Sequence, residues 1–219
     1  MPSRQSRGLL KEYQDAGQML MVPMGETWFV DVNQLPTVSL QNGRDINKPI
    51  GEIRPPVFGY AFEDDEMALW LLERGADLNR QTYIDLTPMS YAVEDASPSL
   101  IKELLNRGGD VQKGELLQHA LDRKFDVIEV LAALLDKCAP LNTVMYENHW
   151  PSRRLFPFME FGTPLHKAAE MGEADIVRFL LGRGADVSIR NTKGRTAEEC
   201  AEKAGYNNVV GVLESVSRD

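Results

Sequence analysis

The sequence predicts an all-α fold, a solenoid of stacked helix–turn–helix units with hairpin connections, and two observations support this. The first is a segment, LLERGADLN, that returns in altered form along the 219 residues. Its copies lie at residues 71–79, 104–111, 134–142 and 180–187. The second is the spacing, since the equivalent glycines Gly75 and Gly108 are 33 residues apart. A fixed period of this length is typical of repeat arrays, in which each unit buries its apolar face against the next.

A second motif falls in phase with the first and predicts where each repeat begins. The segment TPLHKAA starts at Thr163, 21 residues before Gly184, and TPMSYA starts at Thr87, 21 residues before Gly108. Threonine is a good N-cap and proline suits the first helical position, so each segment predicts the start of a helix. The apolar residues of 176–181 then predict a second, buried helix, which the following glycine ends in the left-handed conformation.

With both motifs in place, residues 163–187 (TPLHKAAEMGEADIVRFLLGRGADV) resemble an ankyrin repeat, whose signature is T-P-L-H-x-A on this period. The resemblance covers about 48–214. It implies the ankyrin fold, with about four to six repeats including caps, and the family's usual role in protein binding. Two copies depart from the pattern. The third copy, which starts at 114–121, lacks Thr-Pro and has Cys138 where glycine is usual. The copy at 194–201 keeps the threonine but loses the proline, leucine and histidine.

The irregular parts of the chain define the predicted domain organisation. Residues 1–47 are expected to form an N-terminal capping region, and residues 48–219 to form the ankyrin repeats. An insertion at about 143–161 separates the third and fourth copies, which are one repeat plus about 13 residues apart. The polar stretch at about 191–219 suits a C-terminal cap, because a terminal repeat must face water.

The capping region admits more than one interpretation. A single helix from Gly8 to Leu20 is one, and residues 27–32 have the composition of an extended or buried segment. Residues 42–47 (NGRDIN) echo the Gly-Ala-Asp-Leu-Asn motif, and Gly43 lies 32 residues before Gly75. A degenerate first repeat would explain this echo, although Pro23 and Pro36 interrupt helical structure.

Composition excludes several classes of partner. The net charge is −9 with a pI of about 5.0, which argues against binding nucleic acid or anionic membranes. No apolar run approaches the roughly 18 residues that span a bilayer. The N-terminus lacks the apolar segment of a signal peptide, and two cysteines are too few for a disulfide scaffold. We therefore expect a protein of the cytoplasm or nucleus that is monomeric by itself.

The sequence offers little support for an enzyme. The three histidines, His119, His149 and His166, show no metal-ligand spacing, and His166 occupies the TPLH position that the ankyrin family uses for structural hydrogen bonds. Neither Cys138 nor Cys200 has a histidine nearby in sequence, as a catalytic thiol would need. Phosphate-binding and dinucleotide-binding glycine patterns are missing from the sequence. We expect no catalytic residue, no metal and no cofactor.

The insertion is the first candidate for partner binding, because a repeat does not need it to fold. It is rich in aromatic residues and arginine, the types that dominate interface energetics. The alternative is that its aromatics pack onto the array as a satellite core. The candidate contact residues are Tyr146, His149, Trp150, Arg153, Arg154, Phe156 and Phe158.

The second candidate is a row of acidic residues that close the first helix of each repeat. In the ankyrin family such positions line the concave face. Stacked repeats would place their carboxylates about one repeat apart, where they would attract a basic segment of a partner and speed its encounter. A solvated charged face is the alternative. The residues are Glu63, Asp64, Glu94, Asp95, Asp122 and Glu170.

The function that follows from these features is a protein–protein interaction scaffold. It would bind another protein through the concave face and the 143–161 hairpin. A regulatory or inhibitory subunit of an enzyme is the alternative, and an enzyme in its own right ranks third. The partner's identity does not follow from the scaffold, because the fold alone does not define the binding site.

Overall fold

The computed structural model describes residues 19–22, 28–31, 46–48, 56–62 and 64–217. Within the last range lie α-helices, and a 3₁₀ turn, Val57–Tyr60, precedes them. The predicted all-α solenoid is confirmed. The helices are α1 (Asp65–Glu73), α2 (Pro88–Asp95), α3 (Pro98–Asn106), α4 (Leu116–Ala120), α5 (Val127–Asp136), α6 (Trp150–Leu155), α7 (Pro164–Met171), α8 (Ala174–Gly182), α9 (Ala197–Ala204) and α10 (Asn207–Ser217).

The helices form two layers. The first helices of successive repeats, α2, α4, α7 and α9, pack on one another, and so do the second helices α3, α5 and α8. The buried core runs between the layers without a break. Its largest fully buried side chains include Met89, Ile101, Leu131, Leu165 and Leu213. The short helix α6 belongs to neither layer, because it lies in the insertion.

Hydrogen-bonded caps fix the start of three first helices, as the sequence predicts. At α2 the Thr87 hydroxyl accepts the Ser90 N–H, while the Ser90 hydroxyl accepts the Thr87 N–H. Two backbone N–H groups that have no acceptor within the helix are thereby satisfied. The same reciprocal arrangement caps α7 and α9. Helix α4, whose copy lacks Thr-Pro, begins instead at Glu115 in a left-handed conformation and without a side-chain cap.

The connections between repeats are joined by asparagines that bridge to the next repeat. The Asn79 side chain donates to Gly108 O at 2.8 Å and accepts the Asp110 N–H at 2.8 Å. Each such amide satisfies one acceptor and one donor of a backbone that has no strand partner. The same pair of bonds joins Asn47 to Gly75 and Asp77, and Asn142 to Gly184 and Asp186.

A second series of bridges comes from the third residue of the first helices. Ser90 donates to Gly114 O at 2.7 Å and Gln118 donates to Gly162 O at 2.9 Å. Each first helix thus holds the residue two positions before the first helix of the next repeat. His166 Nε2 lies 3.0 Å from Arg195 O and makes the equivalent contact. The two series together fix the register of neighbouring repeats.

The ends of the second helices need a left-handed residue, and one repeat supplies it without glycine. Gly75, Gly108 and Gly184 have φ of 88°, 101° and 90°, whereas Cys138 takes the same place with φ of 64°. A left-handed conformation costs a residue that has a Cβ about 1 kcal/mol or more. The repeat tolerates Cys138 because the bonds around it, including the one from Gln112 Nε2 to Cys138 O at 2.8 Å, remain.

The N-terminal region contains two strands, β1 (Met19–Val22) and β2 (Trp28–Asp31), which pair antiparallel. Residues 28–31 are thus extended, as expected for the segment 27–32. The interpretation of 8–20 as one helix is wrong at its end, because Met19 and Leu20 pair in β1; residues 8–18 lie outside the described residues. The Asn47 bridge supports a degenerate first repeat, which stays a prediction.

The asparagine bridges make a testable contribution to stability. We expect Asn79→Ala to lower the free energy of unfolding by about 1 kcal/mol, because a backbone acceptor and a donor each lose a fixed partner. Urea denaturation followed by circular dichroism measures the change. Asn208→Ala, an exposed substitution within α10, is the control and should not lower stability, since alanine favours helix. Equal stability of the two variants would contradict the bridging role.

Candidate protein-binding surface

Packing of two aromatic residues brings the two ends of the insertion together. The rings of Tyr146 and Phe161 meet edge to face with their centroids 5.2 Å apart, and each residue is 6% exposed. Beside them the Met145 N–H donates to Gly162 O at 3.0 Å. Tyr146, a candidate contact residue, therefore lies in the base of the insertion rather than on its surface.

A polar cluster ties the end of the insertion to the next repeat. Glu160 accepts hydrogen bonds from the Arg195 guanidinium and from Asn191 at 2.5 Å. Burial acts to raise the pKa of Glu160, but the bonds from Arg195 and Asn191 outweigh it and hold the pKa below its usual range. In addition, Phe161 and Thr192 exchange two hydrogen bonds of 2.9 Å. The insertion thus leaves and re-enters the array at fixed points.

Helix α6 turns one face inward and the other outward. His149 caps it, because its Nδ1 accepts the Ser152 N–H at 3.4 Å, and Ser152 is fully buried. Residues three and four positions apart share one side of a helix. Trp150, Arg153 and Arg154 therefore share the outward side, where Trp150 is 72% exposed and both arginines are exposed.

The segment after α6 continues the exposed apolar surface. Phe158 is 91% exposed, the highest value among the large apolar side chains described, and Phe156 is half-buried. Leu155 and Met159 are exposed as well. Each of the two interpretations of the insertion, a contact surface and a satellite core, therefore fits part of its aromatic residues. Tyr146 and Phe161 pack onto the array, whereas Trp150 and Phe158 face solvent.

The structure brings most of the acidic row together in one groove of about 720 Å³. The groove lies along the turns that connect the first and second helices of three consecutive repeats. Glu170 lies elsewhere, near Cys200, and Glu63 lies outside the described residues. The predicted residues that line the groove are Asp64, Glu94, Asp95 and Asp122, and further carboxylates come from Asp65, Glu66 and Asp126.

Several of these carboxylates already have partners inside the protein. Asp64 caps α1 by accepting the Glu66 and Met67 N–H groups. Glu94 Oε1 lies 2.5 Å from His119 Nδ1, and Asp122 accepts from Lys167 at 2.7 Å. The acidic row is therefore partly a set of contacts between repeats. Asp95 and Asp126 lie close enough to Arg123 to interact with its charge.

Arg123 holds the groove floor together. Its guanidinium donates to Val93 O at 2.7 Å, Ala96 O at 2.9 Å and Phe125 O at 3.1 Å. Because the last carbonyls of a helix have no partner within it, Arg123 satisfies the end of α2 from the next repeat. Burial lowers the pKa of Arg123, although Asp126 and Asp95 act to raise it. The neighbouring Phe125 is 75% exposed at the rim.

Two clusters contain the residue types that ligate metals. In the first, the ligand atoms of Glu94, His119 and Asp122 lie within 4.8 Å of one another. Sequence spacing could not show this cluster, because its members come from two successive repeats. In this cluster the Asp122 carboxylate already forms an ion pair with the ammonium group of Lys167. The second cluster, of Glu160, Glu170 and Cys200, has Arg195 and Lys203 bound to Glu160.

The side chains with nucleophilic or acid–base potential are held in structural roles. Burial, together with nearby Glu170, raises the pKa of the Cys200 thiol to about 12, so the reactive thiolate is disfavoured. Burial likewise lowers the pKa of His166, whose ring bonds Thr163 and Arg195. Cys138 is exposed in the turn after α5. The surroundings of Cys200 and His166 suit packing and helix capping.

Comparison with known proteins agrees with this architecture. Residues 162–192 match the family model described as ankyrin repeat. The chain therefore contains an ankyrin repeat at the position where its sequence motif is most complete, and an ankyrin-type solenoid surrounds it. Ankyrin repeats act in protein–protein interaction, so this role is supported for the array. Every helix among the described residues is too short or too polar to cross a membrane.

Curated relatives share parts of the chain. The putative E3 ubiquitin-protein ligase XBAT34 of Arabidopsis thaliana is 44% identical over 54 residues, which is 25% of this chain and 14% of the relative. The probable E3 ubiquitin-protein ligase XBOS33 of Oryza sativa subsp. japonica is 45% identical over 60 residues, 27% of this chain and 12% of the relative. The putative E3 ubiquitin-protein ligase XBAT35 of A. thaliana is 29% identical over 114 residues, which is 52% of this chain and 23% of the relative. The chain thus spans less than a quarter of these relatives.

A half-buried carboxyl beneath the insertion was missed by the sequence analysis. Glu115 Oε1 accepts the Tyr146 N–H at 2.7 Å and so holds the base of the insertion. Burial raises its pKa to about 7, nearby Asp85 adds to this, and the Tyr146 bond opposes it. The departure from Thr-Pro at 114–121 was the available signal, since a glutamate there replaces the usual threonine cap.

We expect stability to depend on pH through Glu115. The unfolded carboxyl ionises above about 4.5, whereas the folded one keeps its proton up to about 7. Stability from this group is therefore complete below pH 4.5 and is lost as pH rises to about 7, by about 3 kcal/mol. Glu115→Gln keeps an acceptor for Tyr146 and should be the more stable protein at pH 8. Urea midpoints from pH 4 to 8 test this, and Glu202→Gln should leave the profile unchanged.

The Arg123 contacts predict a second effect on stability. Arg123→Ala should lower the free energy of unfolding by about 2 kcal/mol, because three backbone carbonyls lose charged donors. Urea denaturation measures the change. Arg107→Ala is the matched control, since Arg107 makes an exposed ion pair with Glu103 and should lose no more than about 0.5 kcal/mol. Similar losses in both variants would show that Arg123 does not fasten the turn to α2.

Proposed function

We propose that the chain is a protein–protein interaction scaffold whose insertion, residues 143–161, is the principal contact with a partner. The observation that carries this proposal is the contrast within the insertion. Its base is fixed by Tyr146 and Phe161, while Trp150 and Phe158 stand 72% and 91% exposed. Large apolar side chains held in water by a fixed base add nothing to folding and are the residue types that anchor interfaces.

The repeats beneath the insertion supply the second line of support. Gln118 reaches Gly162, and Asn142 reaches Gly184 and Asp186, so the third and fourth repeats keep the bonds that join uninterrupted repeats. The insertion therefore does not serve to hold these repeats in register. The exposed residues of the insertion, which do not pack on the scaffold, are free to carry a binding role.

The acidic groove is the second part of the proposed surface. We place a basic segment of the partner there, because carboxylates outnumber cations among the described residues that line the groove: Asp64, Asp65, Glu66, Glu94, Asp95, Asp122 and Asp126 against Arg123 and Lys124. Arg123 spends three of its donors on backbone carbonyls. Exposed charges of one sign mainly raise the rate of encounter, so the groove is assigned to steering and the insertion to affinity.

We assign the binding role to this array rather than a catalytic one. The plant relatives carry the name of ubiquitin-protein ligases, and their likeness to this chain lies in small parts that contain ankyrin repeats. Repeats shared with ligases suit the capture of a protein rather than a transfer reaction. The alternative is a regulatory or inhibitory subunit, in which the insertion would cover the site of an enzyme. An activity assay of the captured partner separates the two, because only inhibition removes activity.

The test is a double substitution at the exposed aromatics. Trp150→Ala with Phe158→Ala should weaken capture of the native partner by about tenfold or more and leave the melting temperature unchanged. Affinity capture from the native cell, quantified by mass spectrometry, measures the first effect and calorimetry the second. This variant is sharper than deleting 146–158, which would also remove the buried Tyr146.

Two controls complete the test. Ile128→Ala with Val216→Ala removes exposed apolar side chains from helices α5 and α10, and it should leave capture unchanged. Tyr146→Ala should instead destabilise the fold by about 3 kcal/mol, as expected for a buried aromatic. If the Trp150 and Phe158 variant captures the same proteins in the same amounts as the wild type, the insertion is not the contact surface.

A further inference from the structure

The outward side of α6 combines two charges with an exposed aromatic residue. Arg153 and Arg154 follow Trp150 by three and four positions, so all three lie on the side opposite buried Ser152. Within the described part of the chain neither guanidinium has a hydrogen bond or an ion pair. Arg123, Arg183 and Arg195 bond carbonyls or carboxylates of the protein, whereas the guanidinium groups of Arg153 and Arg154 donate to none of the described residues.

From this arrangement we infer that the insertion binds an acidic segment of a partner protein, with Arg153 and Arg154 pairing its carboxylates and Trp150 and Phe158 covering an adjacent apolar side chain. The inference rests on the proposed function and specifies the partner's chemistry. A guanidinium presents paired N–H groups that match a carboxylate, and such bonds are about twice as strong as neutral ones. A neighbouring aromatic residue excludes water and strengthens them.

A protein segment fits this surface better than an anionic membrane does. A membrane is an extended charged plane that faces much of the protein, and the chain carries a net charge of −9. A peptide contacts only a few residues, and charges beyond about 8 Å are largely screened at physiological salt. Arg153 and Arg154 are the charged residues of α6 itself, so they are the charges nearest to a peptide bound on this helix. The groove that carries the opposite charge lies along the turns between first and second helices, at Asp64, Asp95 and Asp126, outside the insertion.

Selection from random peptides displayed on phage tests the inference with the full-length chain. Clones are selected on the wild-type protein and then depleted on the charge-reversed variant Arg153→Glu with Arg154→Glu, which removes peptides that bind the acidic groove. We expect the surviving clones to contain several Asp or Glu residues next to a large apolar residue. Survivors that are basic or uncharged would overturn the inference, and so would a selection from which nothing survives.

Binding measurements with one selected peptide then give the magnitude. Fluorescence anisotropy should show about tenfold or greater weakening for the charge-reversed variant. Arg178→Glu with Lys193→Glu makes the same change in net charge on exposed residues of another part of the array, and it should keep full affinity. Equal weakening in both variants would overturn the inference, because it would show an effect of overall charge. Thermal melts confirm that each variant is folded.

Three further outcomes are distinguished. Co-sedimentation of the wild type, but not the charge-reversed variant, with phosphatidylserine vesicles would overturn the inference in favour of a membrane. Self-association in sedimentation velocity that the charge reversal abolishes would overturn it in favour of a second copy of the chain. If charge reversal leaves capture of the native partner intact while the Trp150 and Phe158 variant loses it, the acidic partner is refuted and the proposed binding role stands.

Discussion

The structure depends on hydrogen bonds that cross from one repeat to the next. In a solenoid each unit contacts only its neighbours, so the apolar layers alone could slide past one another. The Asn79 amide, which reaches both Gly108 and Asp110, allows one alignment only. Ser90, Gln118 and His166 add a second fixed point at the start of the following helix. Core packing supplies the stability of the array, and these bridges supply its register.

The same bridges explain how the chain accommodates an insertion. Gln118 and Gly162 are 44 residues apart in sequence, yet they are joined as closely as Ser90 and Gly114 are. Lengthening a connection costs little free energy, because the entropy of closing a loop grows only with the logarithm of its length. Tyr146 and Phe161 hold the two ends together and Ser152 is buried, so the exposed residues between them, such as Trp150 and Phe158, have no packing role in the array. The outward residues of α6 are therefore open to selection for binding.

The sequence predicted the features that recur in each repeat, but it did not predict contacts that occur only once. Period and capping residues placed the helices, since Thr87 and Thr163 start α2 and α7. Composition could not show which residues of the insertion are buried, because Tyr146 and Trp150 are both aromatic. The fold buries Tyr146 and leaves Trp150 exposed. The acidic row was foreseen as a set, but its pairing was not. His119 meets Glu94 across repeats, where neither spacing nor residue type reveals the contact.

The charges that act on a partner at long range differ from those that act on it at contact distance. At long range a partner experiences the net charge of −9, which favours a basic protein and the groove beside Asp95 and Asp126. At contact distance, screening over about 8 Å leaves only local charges, and there Arg153 and Arg154 favour carboxylates. A partner with a basic segment and an acidic, apolar one would satisfy both surfaces. Binding of one segment would then raise the effective concentration of the other at its own surface, so specificity would require both segments.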